Sequence, residues 1–182
     1  MKDQQKKQPA ILAEEGKDLY KNGKFEQAAE LFSQTAIIYM EEGEVLLAAE
    51  MKNNQSVALL QNKQPGLALD AVRGTSETFK EAGDKLKWAM ALANEATAGK
   101  ELGNIENAIE KFSQAADLFN NLNEQKMYLQ TMQSISALKL KTRNIPGALF
   151  SMQDGLEGLE KPNLRQKFLL NLLKIPRNLI NK

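Results

Sequence analysis

The stretch NGKFEQAAELF (Asn22–Phe32) is written again, with modest changes, as LGNIENAIEKF (Leu102–Phe112). Each reads as a glycine turn followed by the opening of an apolar-striped helix. Moving outward from Ala28 in steps of 40 residues reaches Ala68, Ala108 and Ala148. From Tyr39 the same step reaches Phe79, Phe119 and Leu159, all large and apolar. Gly16 leads to Ser56, Ala96 and Ser136, all small. Gly43 leads to Gly83, Asn123 and Asn163, residue types that tolerate a left-handed backbone after a helix. Glu44 leads to Asp84 and Glu124, acids suited to the start of the following helix. The columns agree without insertion, so the chain is an internal repeat with a period of 40 residues.

Punctuation divides each period into two helices. The predicted pairs are 8–22 with 25–42, 44–62 with 65–82, 84–102 with 105–122, and 124–142 with 146–159. Phe25, Ala28, Leu31, Phe32, Ala36 and Tyr39 recur at three- and four-residue steps, the stripe a packed helix needs. Pro65 sits where the first helical turn accepts it. No stretch alternates as a strand does, so the fold class is all-α. Small residues in the Gly16 and Ala28 columns have one cause: a large side chain at a close helix crossing would push the axes apart.

Composition removes whole classes of chemistry. The chain has 182 residues with no Cys and no His, which excludes thiol nucleophiles, thiolate metal sites and histidine acid–base catalysis. Glu14-Glu15 and Glu41-Glu42 are adjacent pairs that point to different sides of a helix, unsuited to an acid–base dyad. No phosphate-binding glycine loop occurs. Lys and Arg total 24 against 23 Asp and Glu, a balance that recruits no nucleic acid. No run reaches the ~18 apolar residues of a membrane span. The expectation is a cytoplasmic, non-enzymatic protein of one domain, 1–182, without cofactor or metal.

Small–x2–large, then Ala-x3-Phe eight residues on, resembles the tetratricopeptide repeat. The best match runs through Gly16, Leu19, Tyr20, Gly23, Phe25, Ala28 and Phe32, and the third period matches through Ala96, Gly103, Ile105, Ala108 and Phe112. The resemblance covers about residues 8–160. It departs from the family in its 40-residue period, in lacking the closing proline, and in the phase of Trp88. HEAT-like pairs share the period, but the Gly-x-Phe-x-x-Ala turn favours tetratricopeptide. Long repeats of this kind look like those of SNAP-type adaptors, kinesin light chains and bacterial signalling regulators. The resemblance implies a right-handed α-solenoid of four repeats, 8–43, 44–83, 84–123 and 124–160, plus a capping helix over 163–181.

The same resemblance implies a protein or peptide partner, or a partner helix, held in a concave groove. Register places Glu14, Asn54, Asn94 and Ser134 at the groove position where an amide holds a peptide backbone. The groove set is Lys17, Tyr20, Asn54, Val57, Asn94, Thr97, Lys100, Ser134 and Lys141, with Met90 nearby. The clamp that captures chaperone tails is matched only at Asn54, with Ala13, Lys17, Met90 and Asn94 at its other places. Trp88 and Tyr128 read as packing residues, and Met40, Met51, Met90, Met127, Met132 and Met152 as core filling. At the C-terminus, Leu164, Phe168, Leu169, Leu172 and Leu173 are expected to form one apolar face that closes the last repeat. Lys161, Arg165, Lys167, Lys174, Arg177 and Lys182 follow Glu160 with no further acid, so a tail of +6 follows a body of −5. That block supports an alternative, a SNAP-like membrane-associated adaptor working through this helix. Self-association of the chain is also open.

Overall fold

The computed structural model describes residues 2–173, with side chains from Pro9 onward. Among the described residues ten helices follow one another: α1 (Lys2–Lys21), α2 (Phe25–Glu41), α3 (Val45–Gln61), α4 (Pro65–Val72), α5 (Thr75–Glu81), α6 (Lys85–Glu101), α7 (Ile105–Asn121), α8 (Gln125–Lys141), α9 (Ile145–Glu157) and α10 (Leu164–Leu173). Among the described residues there is no strand, and the predicted all-α helical repeat is the fold observed. The chain divides into two compact units, 1–108 and 109–182. In the first, α2 packs between α1 and α3, and α4, α5 and α6 continue from α3; in the second, α9 packs against α8 and α10.

The alanine column is the core of this arrangement: Ala28, Ala68, Ala108 and Ala148 are all buried. Tyr39, Phe79 and Phe119 are buried in step. The small column faces these residues closely. A Cβ on Gly16 would lie 2.7 Å from the Phe32 ring, and the Ser136 hydroxyl donates to the Ala148 carbonyl at 2.8 Å. Helices cross here at a distance only small side chains permit.

The turns show a finer rhythm than the 40-residue period. Gly23, Gly43, Lys63, Gly83, Gly103, Asn123 and Arg143 all take positive φ, at 20-residue intervals. Each ends its helix with the same pair of bonds: Gly23 N–H donates to Tyr20 O at 3.0 Å, and Lys24 N–H to Leu19 O at 2.9 Å. This Schellman arrangement satisfies carbonyls that the helix end leaves open. Lys63 and Arg143 adopt it at a cost of about 1–2 kcal/mol that glycine avoids.

Three expectations need correction. The second helix of the second pair is not continuous over 65–82: Gly74 takes φ 79 and separates α4 from α5. The break is local because the Thr75 hydroxyl donates to the Val72 carbonyl at 2.8 Å, and Phe79 stays buried in register. Second, Asn163 does not adopt the left-handed conformation of its column. Its side chain accepts from Gln166 N–H at 3.0 Å while Gln166 accepts from Asn163 N–H at 2.7 Å, a capping box that starts α10. Third, α1 starts at Lys2 rather than Gln8 and runs through Pro9.

The closing helix also differs. Leu169, Leu170 and Leu173 are half-buried on the α9 side, whereas Leu164, Phe168 and Leu172 are 85%, 71% and 51% exposed. At 100° per residue those two sets occupy different sides of α10, so the five expected residues do not make one face. The expected continuation over 174–181 lies outside the described residues.

Candidate functional site

Residues of the first unit form an open recess of about 340 Å³, lined by Lys17, Tyr20, Lys21, Phe32, Asn54 and Val57. Four of the residues expected at a groove, Lys17, Tyr20, Asn54 and Val57, meet there. The 3.6-residue period places Asn54 and Val57 on one stripe of α3, while Lys17, Tyr20 and Lys21 share a stripe of α1. Phe32, buried against Gly16, supplies the floor. Tyr20 is held edge-on to Phe25, ring centres 5.3 Å apart.

The charges around this surface are neutralised in place. Lys17 pairs with Glu14 at 2.7 Å, Lys21 with Asp18 at 3.0 Å and Lys100 with Glu101 at 3.0 Å. Lys87 of α6 reaches Glu50 of α3 at 2.9 Å, and that hydrogen bond raises the Lys87 pKa. Hydrogen bonding to Asp18 likewise raises that of Lys21. Asn54 makes no side-chain hydrogen bond among the described residues, leaving its donor and acceptor for a ligand.

The other expected groove residues are placed differently. Asn94 donates to Asn53 Oδ1 at 3.1 Å, and Asn53 donates to the Ala49 carbonyl at 3.1 Å. Asn94 is therefore part of an amide bridge joining α3 and α6. The Thr97 hydroxyl is turned onto the Ala93 carbonyl at 2.7 Å. In the second unit, the Ser134 hydroxyl donates to Gln130 O at 3.1 Å, and Lys141 is exposed at the end of α8.

Several features escape the sequence reading. Leu46, Leu47 and Leu86 are exposed, as are Met40 and Met90, which were expected in the core; Met51 and Met132 are buried. Leu46, Leu47 and Leu86 fall at the beginnings of α3 and α6, and Met40 at the end of α2, where periodicity alone favours burial. Glu95 is buried and accepts from the Ser76 hydroxyl at 2.7 Å, a contact set up by the break at Gly74. A second recess, about 360 Å³, lies between α2 and α3, lined by Ser33, Ala36, Ile37, Met40, Glu41, Lys52 and Gln55. In the second unit, a recess of about 130 Å³ includes Tyr128, whose hydroxyl donates to Asp154 at 2.7 Å. Burial, then that bond, pushes the Tyr128 pKa well above its ordinary value. Trp88 packs against Ala49, Phe79 and Ala91, as a packing residue should.

Among the described residues no group of three or more acidic side chains is placed to hold a metal ion, and no helix is long and apolar enough to cross a membrane. Helices paired in series around an open recess define a helical-repeat protein. The chain belongs to the soluble NSF attachment protein (SNAP) family, whose model matches residues 18–153. That family comprises non-enzymatic adaptors that bind protein partners. The fold is also that of BtubC (BKLC) from P. vanneervenii: the TM-score is 0.60 at 14% identity, covering 94% of this chain and 82% of that one. No curated protein matches the sequence.

Proposed function

We propose that this protein is an interaction scaffold that holds a peptide or partner helix in the recess of its first unit, around Lys17, Tyr20, Asn54 and Val57. The observation that carries the reading is the unengaged Asn54 amide beside an apolar wall of Tyr20, Phe32 and Val57. An amide of this kind gives an extended backbone both a donor and an acceptor. Because the lysines have carboxylate neighbours, the favoured partner segment is uncharged and apolar, fitted to a surface already in place. Thr97 and Lys100 extend the same face along α6, and Asn94 acts there by stiffening it through Asn53. Ser134 and Lys141 belong to the corresponding face of α8 in the second unit.

The test is an affinity capture with mass spectrometry, run beside an Asn54→Ala, Val57→Asp variant and an Asn94→Ala variant. Partners lost from the first variant, with helicity unchanged, support the recess; partners retained at wild-type levels overturn it. The alternative reading, a SNAP-like adaptor bound to a membrane through its basic C-terminal helix, concerns the exposed stripe of α10. It is an outcome of the experiment described next.

A further inference from the structure

Helix α10 is apolar on two sides. Leu169, Leu170 and Leu173 lean on the α9 side, while Leu164, Phe168 and Leu172, at four-residue steps, stand exposed. A helix with apolar residues on two sides, packed on only one of them, leaves the other to be covered. Arg165 and Lys167 flank the exposed stripe, one on each side, and the six basic residues after Glu160 have no acid among them.

The chain carries a surface of matching chemistry. In the recess between α2 and α3, Ile37 is 57% and Met40 48% exposed. Glu41 lines it at the α2 side and Lys52 at the α3 side, and the exposed Glu42 follows at the end of α2, so the acids lie at the α2 edge. Residues 1–108 carry 13 basic and 17 acidic side chains, whereas residues 109–160 are nearly balanced, with 5 and 6. The acidic excess is therefore concentrated in the unit that exposes this apolar edge.

We propose that a second copy of this chain covers the stripe: Leu164, Phe168 and Leu172 of one copy seat against Ile37 and Met40 of the other, with Arg165 and Lys167 meeting Glu41 and Glu42. This is helix-in-groove recognition, with anchors at four-residue steps. The contact is head-to-tail rather than self-complementary, so each copy offers one stripe and one recess. A bilayer is the less suitable cover. The stripe is only three residues long, and the −5 body would repel the anionic lipids that its basic tail attracts. The inference is independent of the peptide recess around Asn54.

Sedimentation velocity on the full chain tests it. The wild-type mass is expected to rise with concentration to at least twice that of one chain. A Leu164→Gln, Phe168→Gln variant and an Ile37→Asp, Met40→Gln variant should each remain single. Mixed, they should form a one-to-one dimer that grows no further, because one supplies the intact recess and the other the intact stripe. Charge reversal leaves the apolar contact in place: Arg165→Glu with Lys167→Glu should weaken association about tenfold, and Glu41→Lys with Glu42→Lys in the other copy should restore it. Single chains at all concentrations, or a mixture that stays single, overturn the proposal. So does flotation of a single-chain protein on phosphatidylserine-containing vesicles but not on phosphatidylcholine vesicles, which assigns the stripe to a membrane.

Discussion

Residues 33–55 and 113–135 are equivalents, 80 positions apart, and their polarity is inverted. Ser33 and Ser113, and Ala36 and Ala116, are the same. Ile37 and Met40 of α2 become Asp117 and Asn120 of α7; Lys52 and Gln55 of α3 become Met132 and Ile135 of α8. The first version leaves an open, apolar-edged recess of about 360 Å³, and the second a smaller one of about 130 Å³ with polar groups at its edge. Both scaffolds bury the small columns alike, so the fold constrains those positions and leaves the exposed ones free. An exposed isoleucine at position 37 is not something the helix pair requires.

If the shared scaffold is what the two units have in common, its disruption should cost the same in both. Ala28→Leu and Ala148→Leu, each at a position with essentially no free surface, are expected to lose about 3 kcal/mol, read as a lowered denaturation midpoint. A loss below about 1 kcal/mol in one unit alone would break the equivalence.

At the positions matching Tyr128 the first unit has Ala48 and Trp88, neither of which carries a hydroxyl. Tyr128→Phe should cost about 2 kcal/mol, the range for a hydrogen bond to a charged acceptor. Burial and Asp154 raise the folded-state pKa of Tyr128 above the ordinary value of 10.0. Its contribution is therefore complete below pH 10 and is lost as pH climbs through the folded pKa. Wild type should lose more stability than the variant in urea titrations above that pH. Equal losses would detach the phenol from the fold's alkaline sensitivity.

The finest contrast lies in one column. Ser56 and Ser136 are both buried, but only Ser136 has a partner, the Ala148 carbonyl; the Ser56 hydroxyl has none among the described residues. An unsatisfied buried hydroxyl destabilises and a satisfied one contributes modestly. Ser56→Ala should thus gain about 1 kcal/mol and Ser136→Ala lose about 1 kcal/mol, measured side by side in denaturant. Equal signs would remove the distinction.

The helix pairs were legible because close crossings impose small residues, and small residues at fixed spacing are visible in a sequence. The left-handed turns at Gly43, Gly83 and Asn123 were legible because glycine and asparagine tolerate positive φ, whereas Lys63 and Arg143 take that conformation without advertising it. Gly74 was hidden inside an otherwise helical pattern, where a glycine is usually tolerated. At the recess, the register that the tetratricopeptide resemblance implies gave Lys17, Tyr20, Asn54 and Val57, pairs three apart that share a helix face. It did not show that Asn94 would be occupied by Asn53, because the 41-residue separation gives no sign of a side-chain bond. The uncovered side of α10 was missed because a run of leucines reads as one stripe until the helix it leans on fixes which leucines face inward.

The molecule's one tryptophan lies wholly within the first unit, its indole packed on Phe79 and approached by the Lys80 ammonium at 5.3 Å from the ring centre. Indole emission therefore watches residues 1–108 alone, while far-ultraviolet dichroism sums every helix. Recording both signals during one melt asks whether the halves part company before either is lost, with no label and no added probe.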